Sequence, residues 1–199
     1  MKGIKNAIEK RRSCYNISAQ SPVSNSEIKE IIDWAVLHVP SAFNSQSSRV
    51  VLLLNEHHKK FWEIVKAEVR KTTPPDNYQS MKDKVEGSFE AGYGTVLFYE
   101  DQQVVKKLQE QFPRYQANFP VWSEHASAMH QFAVWMLLEE AGFGASLQHY
   151  NPLIDEVVAE TWNISPEWKM IAQMPFGVIS SEPDKKMFGP LENRSIIFE

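Results

Sequence analysis

Arg11, Arg12 and Ser13 stand in direct succession and put two guanidinium forks and a hydroxyl within three residues. A phosphate dianion rewards bidentate, charge-assisted donors of this kind. The same triplet also suits the basic end of a helix, where it complements the dipole. Further on, the polar turn Pro40-Ser41-Ala42-Phe43-Asn44-Ser45-Gln46 offers the carboxamides of Asn44 and Gln46. Carboxamides both donate and accept, which matches the alternating N–H and C=O groups on the edge of a heterocycle. A capped turn accounts for them equally well. Lys185, Lys186 and Arg194 could add phosphate contacts from the tail, or could be solvated.

Several other chemistries lack their residues. There is no Gly-x-Gly-x-x-Gly and no Gly-x-x-x-x-Gly-Lys-Ser/Thr, so dinucleotide and P-loop phosphate cradles are unsupported. His57, His58, His125, His130 and His149 fall into no metal-ligand spacing, and no metal is expected. No serine sits in a Gly-x-Ser-x-Gly elbow. Cys14 is the single cysteine, which rules out an intramolecular disulfide and reads best as a small buried hydrophobe. With phosphate-type donors, surplus aromatics and no acid–base machinery, the chemistry points to an imported cofactor.

The composition narrows the partners. The chain of 199 residues fits one domain spanning 1–199. Its net charge of −4 leaves no basic excess for nucleic acid. The longest apolar run, Phe132 to Leu138, has seven residues, against the ~20 needed to span a membrane. The opening segment MKGIKNAIEKRRS has no apolar signal core, so a cytoplasmic location is expected.

The elements that must position these residues are legible as periodicities. Ile4, Ala7 and Ile8 mark a helix leading into Arg11. Ser24 and Glu27 have capping-box spacing ahead of the stripe Ile28, Ile31, Ile32, Ala35 and Val36, which Pro40 ends. Val50 to Leu54 reads as a buried strand, and 57–70 as a helix. Lys71 to Gln79, with Pro74-Pro75, reads as an exposed connection, and Met81, Val85 and Phe89 as a further helix. A strand is predicted over 95–100 and a helix from about Asp101. The aromatic stretch from Phe112 to Trp122 reads as a lid or a broken helix. The longest helix is predicted from about Glu124 to Ala141, stopped by Gly142. A strand at 145–148, a helix from about Pro152 to Trp162 and a strand over 169–180 complete the body. Ser195-Ile196-Ile197-Phe198 is apolar and β-prone but has no neighbouring hairpin partner. It is expected to pair at long range, within the chain or on another copy. The sum is an α+β protein with a central sheet of four or five strands flanked by helices.

Five segments also resemble the nitroreductase family of flavin enzymes, in particular its short branch that includes the fungal fatty-acid-repression proteins. They are residues 11–15 (Arg-Arg-Ser-Cys-Tyr), 40–49, 94–101, 142–152 (Gly-Phe-Gly-Ala-Ser-Leu-Gln-His-Tyr-Asn-Pro) and 168–177. The resemblance implies a nitroreductase-like sandwich with a mostly antiparallel sheet, forming a tail-exchanged homodimer with FMN at the interface. It implies that Arg11, Arg12 and Ser13 hold the ribityl phosphate, with Lys186 or Arg194 adding charge. Asn44 and Gln46 of the other subunit would address the flavin edge. Ser146, Leu147 and Gln148 would run along the isoalloxazine, and Tyr15 and Arg49 would be secondary contacts. The implied activity is NAD(P)H-dependent, ping-pong hydride transfer through flavin N5 to nitroaromatic or quinone-like acceptors. Phe119 and Trp122 are the expected lid over a small aromatic acceptor. The alternative is a flavin-binding regulatory or sequestration protein with incidental turnover. Two departures stand out: Tyr15 occupies a position where many relatives carry arginine, and the chain is shorter than the larger bacterial members.

Overall fold

The computed structural model describes residues 3–199. Its first half contains α1 (Ile4–Lys10), β1 (Ile17–Ser18), α2 (Asn25–His38), β2 (Ser48–Leu54), α3 (Glu56–Thr72) and α4 (Pro75–Val85). Its second half contains β3 (Gly94–Asp101), α5 (Gln102–Gln111), α6 (Phe119–Glu140), β4 (Gly144–Ala145), α7 (Asp155–Trp162) and β5 (Trp168–Ile179). A π turn over Glu86–Glu90 extends α4, and 3-10 turns occupy Ala42–Asn44 and Pro113–Tyr115.

Local chemistry explains several boundaries. Glu27 N–H donates to Ser24 Oγ at 3.2 Å while Ser24 N–H donates to Glu27 Oε2 at 2.8 Å, closing the capping box that starts α2. Asp101 starts α5 by accepting the Gln103 N–H at 3.0 Å. Gly142, at φ 95°, takes the left-handed conformation that ends α6.

The strands form one antiparallel sheet. β2 lies at one edge, β3 and β5 follow, and β1 and β4 each pair with β5. All eight residues of β3 are buried, so it is covered on both faces. Val96 and Phe98 join Ile28, Ile32, Val134 and Leu138 in a core beneath α2 and α6. Leu97 and Tyr99 join Phe61, Trp62, Val65 and Val158 in a second core beneath α3 and α7. The period-2 alternation of one strand therefore builds both halves of the interior.

The sequence expectations need four corrections. The connection predicted over 71–79 is mostly helical, because Pro75 occupies the first turn of α4, where no intrahelical N–H is required. The long helix begins at Phe119 rather than Glu124, again with a proline, Pro120, in its first turn. Pro152 lies before α7, which starts at Asp155, and the strand predicted over 145–148 is confined to Gly144–Ala145 with a single bridge from Gln148 to Gln173. Within one chain, Ser195–Phe198 forms no strand among the described residues, and Ile196, Ile197 and Phe198 are exposed, which leaves its expected pairing to another copy.

Gly144 sets how closely the sheet approaches the segment after α1. A Cβ there would meet Ile179 Cγ1 at 2.5 Å and Cys14 Cβ at 2.9 Å. Gly144→Ala should cost about 1–3 kcal/mol, the range for overpacking a filled site. Urea unfolding reads this directly, and an unchanged midpoint would refute the close-packing account.

Candidate functional site

Arg11, Arg12, Ser13 and Tyr15 line one open cleft of about 400 Å³ together with Asn16 and residues 181–184. α1 ends at Lys10, and the chain leaves it in extended form through Arg11. Ser13 then makes a parallel bridge to Ala145, and Cys14 N–H donates to the Ala145 carbonyl at 2.9 Å. This bridge ties the triplet to Ala145, just before Ser146, Leu147 and Gln148, none of which lines the cleft itself. On their other side, Ser146 N–H donates to Pro175 O at 3.3 Å and Gln148 N–H to Gln173 O at 2.7 Å. Strand alternation turns the intervening Leu147 N–H away from β5, and among the described residues it donates to nothing. Ser146 Oγ accepts from the Gln148 side chain at 3.1 Å.

Arg11 places its guanidinium 4.5 Å from the centre of the Trp135 ring on α6, which fixes its orientation through a cation–π contact. Among the described residues, neither Arg11 nor Arg12 forms an ion pair. Glu182 and Asp184 stand on the cleft wall and offset part of the attraction for an anion. The donor set still fits a phosphate dianion: two guanidinium forks without ion pairs among the described residues and a hydroxyl line a cleft of suitable size. Asn16 and the 181–184 wall were not legible as site residues, since nothing in their types marks them. Lys186 and Arg194 do not line this cleft. Lys186 Nζ lies 5.6 Å from the Phe188 ring, and Arg194 N–H donates to Leu191 O at 2.9 Å.

Cys14 is buried, and burial pushes its thiol above the ordinary range, as befits a packing residue. His58 and His130 are also core residues, held low by burial. His58 bonds Thr95 Oγ1 and Glu90 O, and His130 bonds Ala126 O.

Asn44 and Gln46 fall on a second constellation. Phe43, Asn44 and Gln46 all have positive φ, at 57°, 49° and 50°. Left-handed conformations at non-glycine residues cost free energy that the surroundings must hold in place. Here Gln46 N–H donates to Ser41 Oγ at 3.0 Å, and Arg49 Nη1 donates to Gln46 O at 2.7 Å. Arg49 also pairs with Asp101 at 2.9 Å, so the predicted cofactor contact has its guanidinium occupied in bracing the loop. Glu100, fully buried, accepts from the hydroxyls of Ser47 and Ser48 and anchors the loop's exit.

Phe43, half exposed, is the centre of an aromatic cluster that the sequence reading did not single out. Its ring centroid lies 5.0 Å from Phe112, 5.7 Å from Tyr115, 5.3 Å from Phe119 and 5.8 Å from Trp122. Phe119 is buried in the first turn of α6, while Trp122 stacks nearly parallel to Phe43 at 20°. None of these residues lines the Arg11–Ser13 cleft. One chain thus carries two separate groups of candidate residues.

The relatives bear on what the two groups serve. The Nitroreductase family model matches residues 8–178. The chain belongs to the nitroreductase family. It is 32% identical over 185 residues to the nitroreductase FRM2 of Saccharomyces cerevisiae, covering 92% of this chain and 91% of that protein. Structures of the nitroreductase CinD from Lactococcus lactis, in complex with chloramphenicol or with 4-nitrophenol, are 41% identical with a TM-score of 0.90, covering 99% of this chain and 100% of that one. A Desulfovibrio desulfuricans structure in complex with FMN shares the fold at 16% identity and a TM-score of 0.72, covering 100% of this chain and 99% of that one. Among the described residues, no helix is long and apolar enough to cross a membrane.

Burial holds the Glu100 carboxyl above the usual glutamate range, with Ser47, Ser48 and Arg49 pulling it back. A carboxyl whose folded value exceeds its unfolded one gives a stability contribution that is complete below the unfolded value and fades as pH rises through the folded one. Glu100→Gln removes that dependence. The difference in Tm, variant minus wild type, should therefore become more positive from about pH 4 to about pH 7. A flat difference would contradict the reading of Glu100 as a desolvated anchor.

Proposed function

We propose that this protein is an FMN-dependent oxidoreductase that draws electrons from NADH or NADPH and delivers them to nitroaromatic or quinone-like acceptors, working as a cytoplasmic homodimer. The observation that carries the reading is the cleft lined by Arg11, Arg12 and Ser13, which the Ser13–Ala145 bridge ties to the chain just before residues 146–148. When bound, FMN supplies a redox centre that takes a hydride at N5 from a nicotinamide and gives it to an acceptor.

The chain's own part is binding and orientation. The Arg11 and Arg12 forks and the Ser13 hydroxyl are suited to the ribityl phosphate, and Lys186 and Arg194 can add longer-range attraction from the tail. Tyr15 forms part of the same wall. The Leu147 N–H, which donates to nothing among the described residues, is suited to the electron-rich rim and is held by Ser146 and Gln148 on either side. Asn44 and Gln46 stand apart from the cleft within one chain, which favours a site completed by a second copy. Apolar side chains left exposed on α2 and α6 (Trp34, Leu37, Met129 and Phe132) support an association of this kind.

Trp122 and Phe43 offer an aromatic surface for a planar acceptor, and Phe119 supports them from beneath. The CinD complexes with chloramphenicol and 4-nitrophenol favour acceptors of that class. One shared pocket implies ping-pong order, donor first and acceptor second. Solvent supplies protons to an open site, so no side chain is assigned as a general acid.

Purified protein should be yellow. NADH should bleach it under anaerobic conditions, and a nitro compound should restore the colour. Tight FMN that resists reduction would favour the regulatory or sequestration role instead. Arg11→Ala should weaken FMN retention by about 1.5–3 kcal/mol, the loss expected for a charge-assisted contact. Retention at the wild-type level would show that the phosphate lies elsewhere. Trp122→Ala should alter acceptor selectivity while leaving FMN retention intact, and identical acceptor profiles would remove Trp122 from the acceptor surface.

A further inference from the structure

A second cavity shares no lining residue with either group described above, although the Arg49 guanidinium lies 5.7 Å from the ring of Trp168, which lines it. It has a volume of about 650 Å³ and lies between α7, the loop that follows it and the start of β5. That volume falls in the range of small-molecule sites. Its apolar wall is built from Ala159, Ile164, Pro166, Trp168 and Met170. Two polar atoms of its lining residues are fully buried with no hydrogen-bond partner among the described residues, the Tyr99 hydroxyl and Asp155 Oδ1. Tyr99 itself is only 3% exposed. Buried polar atoms are normally satisfied, because an orphan forfeits its hydration without compensation.

The backbone is adapted to this arrangement. β3 and β5 keep a regular register up to Phe98 opposite Ala172, and the next pair is Tyr99 opposite Met170. Ile171 is therefore an extra residue on β5, a bulge that falls where Tyr99 and Met170 both line the cavity. Bulges of this kind re-aim side chains beside functional sites. The Trp168 ring sits 6.1 Å from the Tyr99 ring and closes that end.

The charges decide which ligand fits. Asp155, Glu156 and Glu160 bring three carboxylates to the cavity, against one cation, Lys169. Lys169 is already engaged, with its Nζ 2.8 Å from Glu124 on α6. An ionised Asp155 can only accept hydrogen bonds, and a tyrosine hydroxyl can accept as well as donate. The occupant must therefore bring N–H donors, preferably charged, and an apolar body for the wall.

We propose that this cavity binds a small organic ammonium, a protonated primary amine carried on an aromatic or aliphatic body, at Asp155 and Tyr99. Small side-chain rotations that open Tyr99 Oη and Asp155 Oδ1 to the cavity would let one ammonium satisfy both oxygens and return a counter-charge to the part-buried carboxylate. Burial alone lifts the Asp155 carboxyl above its ordinary range, which marks it as a carboxylate lacking such a partner. The site is independent of the flavin reading, since it uses none of the same residues.

Isothermal titration of the full-length protein as purified, with benzylammonium, benzyl alcohol and benzoate as probes, tests the assignment. Benzylammonium should bind saturably at one site per chain. Benzyl alcohol should bind at least about tenfold more weakly, as expected when a charge-assisted contact is lost, and benzoate should give no saturable heat. Asp155→Asn should weaken benzylammonium by about the same factor, and Tyr99→Phe by a smaller one. The visible spectrum of bound flavin should not change on addition of the amine, and 4-nitrophenol should not compete with it. Equal binding of the alcohol, undiminished binding by Asp155→Asn, or competition by 4-nitrophenol would each overturn the proposal. Should Asp155→Asn fail to fold, crystals of wild-type protein soaked with 4-iodobenzylammonium give a second reading. Iodine density between Trp168 and Met170 with the amine at Asp155 supports the site, and ordered water alone at the two oxygens refutes it. A colourless preparation would still bind the amine, so failure of the flavin reading leaves this test intact.

Discussion

The structure depends on a strand with no solvent face. Every residue of β3 is buried, so its side chains must meet apolar partners above and below the sheet at once. That requirement sends α2 and α6 to one face and α3 and α7 to the other. It also fixes what lies at the ends of β3. Its C-terminal residues, Glu100 and Asp101, reach the 43–48 loop, Glu100 through the hydroxyls of Ser47 and Ser48 and Asp101 through Arg49. Those two acidic groups belong to the scaffold, yet they fix the loop that presents the candidate carboxamides.

The same economy appears at the other candidate group. Cys14 and Gly144 are small, and their contact lets the segment after α1 lie against β4. The bridge from Ser13 to Ala145 then places phosphate-type donors next to a backbone segment whose alternate N–H groups point away from the sheet. A bulkier pair would separate the two segments and carry the side-chain donors away from the backbone donor.

Much of this was legible in the sequence, for physical reasons that can be named. The capping box of α2, the strand β3 and the glycine stop after α6 are local signals, and each operates as read; the apolar run of β2 is a strand, but at the sheet edge, where of residues 50–54 only Leu53 is buried. The misread boundaries share one cause. Pro75 and Pro120 both sit in first turns that need no N–H donor, and Pro152, expected to start a helix, precedes one. The 11–13 triplet was legible by residue type, but its neighbours Glu182 and Asp184 were not, because that proximity exists only after folding. Arg49 is a secondary contact by resemblance alone, and its ion pair with Asp101 is not legible in the sequence because the two are 52 residues apart. Phe43 went unmarked because an aromatic in a polar turn gives no hint of the four rings that surround it.

The left-handed residues of the 43–46 loop have one more consequence. A flexible loop that orders only on contact subtracts its lost conformational freedom from the affinity of whatever it meets. Here three backbone positions are already bent into sparsely populated conformations by Ser41, Arg49 and the aromatic cluster. The entropy is surrendered once, when the polypeptide first acquires its shape, and not again at each encounter. Rapid exchange of one visitor for another then becomes compatible with a strict choice of orientation.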